Sequence, residues 1–258
     1  MIFIQPSISP VILSLGYLDI RWYSLSYIFA FIFGSILIKK LNKKSYHLLS
    51  DKQIDNFFIW AVLGVIIGGR IGYVLFYQTK SLFTDPFYIF EIWNGGMSFH
   101  GGLIGMIVSI YLFSLKKNVR FFYLSDLVSL GAPIGLFFGR ISNFINTELY
   151  GRVTDFPFAI IYPLIDNNPR HPSQLYEALF EGIILFIILL IYFNKNPKKY
   201  LVKNVSALFF IFYSLFRFII EYLREPDYHL GLFYNYFSMG QLLCIPLFVA
   251  GLIIFFRK

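Results

Sequence analysis

Residues 121–151 read FFYLSDLVSLGAPIGLFFGRISNFINTELYG. The first eighteen are almost wholly apolar, and about 20 residues at 1.5 Å rise cross the hydrocarbon of a bilayer. Arg140, Asn143, Asn146 and Glu148 follow at once, bracketed by Gly139 and Gly151. Such groups are costly where lipid ends unless they are paired or used. The stretch therefore reads as a membrane span that opens into a polar site.

The rest of the chain agrees. Of 258 residues, 57% are hydrophobic and 14% charged, against about 25% charged in an ordinary soluble domain. The 32 Phe and 19 Tyr suit a surface that meets lipid and headgroups. Seven apolar stretches of spanning length fall near 22–38, 57–77, 97–115, 121–138, 175–193, 205–223 and 237–256. The expected fold is an all-α polytopic membrane protein, a single integral domain over 1–258. About seven transmembrane helices are expected, with a small outer-face head near 141–173, between spans 4 and 5. The N-terminus carries no basic residue before Arg21 and two prolines, unlike a cleavable signal peptide, so the chain is expected to keep it.

A net charge of +8 would suit a nucleic-acid partner, but its distribution argues against one. With the lysine-rich loops placed in the cytoplasm, 12 of 13 lysines, all but Lys80, lie on that side. That is the positive-inside pattern, and it puts the N-terminus outside and the C-terminus inside. Seven of nine arginines instead lie in outer loops or within spans: Arg21, Arg70, Arg140, Arg152, Arg170, Arg217 and Arg224. Lysine sets the topology, and arginine has other work.

A charge at mid-bilayer costs about 2.5–3.5 kcal/mol on insertion scales. Glu177, Glu181 and Glu221 are the candidates to offset Arg70, Arg140 and Arg217. Arg217 and Glu221 share a helical face with Tyr213 and Arg224, and Glu177 and Glu181 repeat the four-residue spacing beside Gln174. Two readings stay open at this point: structural ion pairs between helices, or one polar layer toward the outer leaflet that also takes in His100. Asp126 falls outside that layer and reads as a structural polar group. WNGGMSFHGGLIG (93–105) is glycine-rich enough to place a turn or re-entry near His100, whereas Gly68, Gly69 and Gly72 are explained by close helix approach.

The four histidines are scattered with no metal-ligand spacing, and no G-x-S-x-G is present. Cys244, the only cysteine, sits in an apolar run and reads as a small core hydrophobe. A cationic layer with amides suits an anionic head group, since the planar guanidinium fork matches phosphate. An anion or lipid transporter would use arginines too, but would be built from related halves, and no repeat is evident. A non-enzymatic receptor would need no cationic clamp.

GRISNFINTELYGRVTDFPFA closely resembles the signature of the bacterial prolipoprotein diacylglyceryl transferases. RWYSLSY, GGRIGYVLFY, WNGGMSFHGGLIG, RHPSQLYEALFEG and YSLFRFIIEYLREPD resemble that family too, in its order, from about residue 20 to SMGQLLCIPLFVAG. The stretch between FPFA and RHPSQ is shorter here than in some members. The resemblance implies seven spans in the bacterial cytoplasmic (inner) membrane, with the site toward the outer face. It implies transfer of the diacylglyceryl group of phosphatidylglycerol to the lipobox cysteine thiol of a prolipoprotein, giving a thioether and glycerol 1-phosphate without metal or cofactor. The family's important positions fall on Tyr23, His100, Arg140, Asn143, Glu148, Gly151, His171, Tyr213, Arg217 and Glu221. On that reading Arg140 and Arg217 grip the phosphate, Asn143 donates to it, and Glu148 and Glu221 orient the guanidinium groups. His100 is the candidate base, because a thiol near 8.5 needs only a modest one. Tyr23, Gly151, Tyr213 and His171 line the substrate, His171 as a loop anchor or guide.

Overall fold

The structure is a computed structural model that describes residues 3–16, 19–91, 95–195, 197, 202–226 and 236–257; of residues 76, 77, 80, 99 and 100 the backbone alone is described. All seven apolar stretches are helical: α1 (Trp22–Lys44), α2 (Asp51–Tyr77), α4 (Phe99–Lys117), α5 (Phe121–Ile145), α6 (Ser173–Lys195), α7 (Asn204–Ile220) and α8 (Met239–Phe256). A short α3 (Thr79–Thr84) follows α2. Among the described residues, five of them, α1, α2, α5, α6 and α8, are long and apolar enough to cross a membrane, while α7 is a shorter apolar helix. The chain clusters into two compact units, residues 39–125 and residues 1–38 with 126–258.

In the unit of residues 39–125, α2 and α4 pack along glycines. A methyl on Gly72 would sit 2.7 Å from the Gly101 Cα, and one on Gly68 2.9 Å from the Gly105 Cα. Only hydrogen fits between backbones this close. The Ser50 hydroxyl accepts from Gln53 N while the Gln53 side chain accepts from Ser50 N, a reciprocal cap that fixes where α2 begins. Ser98 caps α4 by accepting from Gly101 N. The anticipated turn near His100 therefore lies earlier, at Gly95 and Gly96 with φ of +73° and +79°, and the backbone at His100 is helical. The α1–α2 loop closes on Asn42, whose amide donates to Leu49 O at 2.7 Å and whose carbonyl accepts from the Tyr123 hydroxyl at 2.7 Å.

Arg70 belongs to this framework rather than to a ligand layer. It is 2% exposed, and it donates to the carbonyls of Tyr88 (2.7 Å), Ile89 (3.3 Å) and Gly95. The Tyr88 ring lies under its guanidinium at 4.7 Å. The charge is spent on tying residues 88–95 to α2.

In the other unit, the β-strand content gathers beside the helices. Phe3–Ile4 runs parallel to Ile160–Ile161, which pairs antiparallel with Pro169–Arg170; Val11–Ser14 and Asp19–Arg21 form a separate hairpin. Since α5 runs on to Ile145, the first residues of the 141–173 stretch are helical, and the strands at Ile160–Ile161 and Pro169–Arg170 lie between α5 and α6, the former paired with Phe3–Ile4. Phe33 stacks on Phe138 at 5.9 Å, joining α1 to α5. A methyl on Gly182 would meet the Phe137 Cβ at 2.7 Å, joining α6 to α5. Asp126, fully buried, accepts from the backbone N–H groups of Lys203 and Ser206, both at 2.8 Å, and from the Ser206 hydroxyl. A carboxylate on α5 thus caps the first turn of α7, where the helix dipole favours negative charge.

Candidate active site

Three helices of this second unit deliver six ionisable side chains to one place. Arg140 lies in the C-terminal part of α5, Glu177 and Glu181 lie on α6, and Arg217, Glu221 and Arg224 sit on α7 and the turn after it. Residues 178–184 of α6, which include Glu181 and directly follow Glu177, form a π-helical stretch, a local irregularity that recurs at functional sites.

Glu177 is the hub. Its carboxylate is fully buried and faces Arg140 Nε at 3.0 Å, Arg217 Nη1 in direct contact, and Arg224 Nη1 at 3.9 Å. Glu181, equally buried, takes Arg140 Nη2 at 3.2 Å and Arg217 Nη1 at 3.8 Å. Glu221 pairs with Arg217 Nη2 at 2.7 Å and is itself held by the Ser238 hydroxyl at 3.0 Å. Three guanidinium groups face three carboxylates, so the cluster is balanced. Breaking one buried pair would leave an uncompensated charge, at about 3–5 kcal/mol. Arg140 is thus fixed along one edge of its guanidinium, through Nε and Nη2.

The signature turn beside the cluster is fixed from several directions. Asn143 and Asn146 donate to the two oxygens of Glu148 at 3.0 and 3.3 Å. Gln174 donates to Glu148 O at 2.6 Å and accepts from the Tyr162 hydroxyl at 3.0 Å. Glu148 was expected to orient a guanidinium group; here it takes amide donors, and Glu177 and Glu181 position Arg140 instead. Asn143, expected to reach a ligand, donates to Glu148. Gly151 has a packing reason to be glycine, since a methyl there would lie 2.6 Å from the His171 Cβ and 2.7 Å from Leu223 O. Its N–H donates to His171 O at 2.9 Å, and Arg152 N donates to Leu223 O at 2.9 Å, so these strands hold the chain after Arg217.

His171 is anchored by Tyr176, with Nδ1 at 3.4 Å from the hydroxyl, and by the Phe156 ring. Burial pushes its pKa below the ordinary value, which leaves a neutral imidazole at pH 7. Tyr213 is 6% exposed, stacks on Phe209 at 5.6 Å, and lies within electrostatic reach of Glu181, Arg217 and Arg140. Tyr23 opens α1 with its ring 5.2 Å from Tyr27; the carbonyl before it, on Trp22, accepts from the Ser142 hydroxyl at 3.4 Å. The side chain of His100, the candidate base, lies outside the described residues. No group of three or more His, Cys, Asp or Glu that could hold a metal ion occurs among the described residues. Arg224 was placed on the Arg217 face from sequence but given no role in the site; Ser238 was not singled out, although S-x-x-Q at 238–241 carried the signal of a helix start, and Ser238 does cap α8.

The family described as prolipoprotein diacylglyceryl transferase matches residues 10–257. A phosphatidylglycerol–prolipoprotein diacylglyceryl transferase of Aeromonas hydrophila subsp. hydrophila is 47% identical over 244 residues, covering 95% of this chain and 88% of the relative. One of Rickettsia bellii is 47% identical over 248 residues, covering 96% and 94%. One of Vibrio parahaemolyticus is 46% identical over 248 residues, covering 96% and 90%. The matched range takes in residues 140–224, and the chain belongs to the prolipoprotein diacylglyceryl transferase family.

Proposed function

We propose that this chain transfers the diacylglyceryl group of phosphatidylglycerol to a prolipoprotein, onto the thiol of its lipobox cysteine. The observation that carries the reading is the pair Arg140 and Arg217, held on one buried carboxylate, Glu177. The thiol gives its proton to a base, His100, and the sulfur attacks the glyceryl carbon that bears the phosphate. The new C–S bond forms as the C–O bond breaks, and the electron pair leaves with the phosphate oxygen of glycerol 1-phosphate. Phosphate gains a negative charge in that step. Fixed N–H donors aimed at it stabilise the transition state more than the bound substrate. A cluster already neutralised by Glu177, Glu181 and Glu221 adds no surplus positive charge to trap the departing dianion.

Tyr213 and Asn143 contact the lipid head, Tyr23 lines its approach, and Gly151 with His171 shapes the wall that guides the protein substrate. The same reading gives seven crossings, with α4 and α7 joining α1, α2, α5, α6 and α8. It places the chain in the bacterial inner membrane, with the head and the site toward the outer face. The test is purified chain with phosphatidylglycerol and a lipobox peptide, scored for glycerol 1-phosphate and for the mass of the diacylglyceryl peptide. Lipid movement across vesicles without a covalent product would overturn the reading.

A further inference from the structure

In the unit of residues 39–125, the lysine-rich end of the α2–α4 pair holds a cavity of about 210 Å³ lined by Asn56, Ile59, Trp60, Phe113, Lys116 and Lys117. None of these residues belongs to the Arg140 cluster. The wall is a rigid aromatic corner: Phe113 is 1% exposed and meets Trp60 edge-on at 6.0 Å. The Lys116 ammonium lies over the Trp60 ring at 5.0 Å. Neither Lys116 nor Lys117 has a carboxylate within 4.0 Å among the described residues, whereas Asp51 and Asp55 are engaged by Lys43 and Lys39 at 2.7 and 2.5 Å. Residues 39–55 and 116–120 together carry eight Lys or Arg against two Asp, a surplus of six. Below the cavity, Ile59, Leu63 and Ile67 stand at four-residue spacing on α2, each more than half exposed. One face of the helix thus offers an apolar track.

We infer that this cavity is a binding site for the head group of an anionic phospholipid in the leaflet at the lysine-rich ends. The phosphate accepts from Lys116, Lys117 and Asn56, the glycerol rests on Trp60, and an acyl chain follows Ile59, Leu63 and Ile67. Basic pockets between membrane helices take anionic heads in this way. The apolar track is what separates a lipid from free phosphate, which would use the same donors. Only the choice of leaflet rests on the orientation proposed above, and a symmetric nanodisc removes it.

The test uses the full chain with Trp60 as the remaining tryptophan (W22F/W93F) in nanodiscs of phosphatidylcholine. Brominated phosphatidylserine at a low mole fraction should quench Trp60 several-fold more than brominated phosphatidylcholine at the same fraction. K116Q/K117Q should abolish the difference, and K40Q/K52Q, which removes equal charge elsewhere in the unit, should keep it. Native mass spectrometry of unsubstituted chain should likewise retain phosphatidylserine over phosphatidylcholine. Equal quenching by the two lipids, equal losses in the two double variants, or displacement by millimolar inorganic phosphate would each overturn the proposal. No outcome depends on diacylglyceryl transfer.

Discussion

Arg140 reaches Glu177 through Nε and Glu181 through Nη2, so its planar fork spans two carboxylates. An ammonium group donates from a single point and can keep neither geometry. Arg140→Lys should therefore insert and fold but lower turnover by about 10²–10³, the usual cost of one transition-state donor. Glycerol 1-phosphate release is the measurement, and near-normal turnover would count against the clamp. The pairing was half legible in sequence. The four-residue steps put Glu177 with Glu181 and Arg217 with Glu221, but which helices face one another is tertiary information, and so is the capture of Glu148 by amides. His171 gives a second residue-level test. Its pKa is lowered on folding, so the unfolded chain binds more protons below the ordinary histidine value of about 6.5. Stability from the neutral imidazole is full above that value and is lost as pH falls through the depressed folded one. Asp166, held at about 2 by Arg170, does not titrate in that window. Between pH 7 and 5 the wild-type unfolding midpoint should fall more than that of His171→Gln; equal falls would remove His171 as the acid-sensitive group.

At the scale of elements, the α2–α4 pair depends on which glycines face the partner. A methyl on Gly105 would run into the Gly64 carbonyl, whereas one on Gly102 would meet nothing closer than Val65 Cγ1 at 3.5 Å. Gly105→Ala should part the helices and lower the unfolding midpoint in detergent. Gly102→Ala, whose methyl would make only ordinary van der Waals contact, should be neutral or gain up to about 1 kcal/mol from helix propensity. If both variants behave alike, close packing is not what those glycines supply. Here sequence could not separate two uses of one residue type. The glycines of 95–105 suggested a turn near His100, yet only Gly95 and Gly96 take positive φ, while Gly101 and Gly105 are helix-contact positions. Arg70 was misread for a related reason. Its partners are backbone carbonyls of Tyr88, Ile89 and Gly95, which no side-chain pattern announces.

For the whole molecule, the deciding asymmetry is between the two cations. Lysine can be carried on cytoplasmic loops at no cost, because an ammonium group there stays hydrated and only biases insertion. The long loop after α5 has arginines at Arg152 and Arg170 and no lysine before α6. Both of those arginines are engaged, Arg152 Nε with Arg224 O at 3.0 Å and Arg170 with Asp166 at 2.6 Å, so they are structural charges rather than topology signals. Orientation therefore rests on the lysines. With Cys244→Ser removing the buried thiol, a cysteine at Leu164, which is 78% exposed, should react with a membrane-impermeant maleimide in intact spheroplasts. One at Lys40 should react only after permeabilisation. The reverse pattern would turn the molecule over, and with it the claim that the Arg140 cluster serves the outer leaflet, while leaving the ion-pair geometry of that cluster untouched.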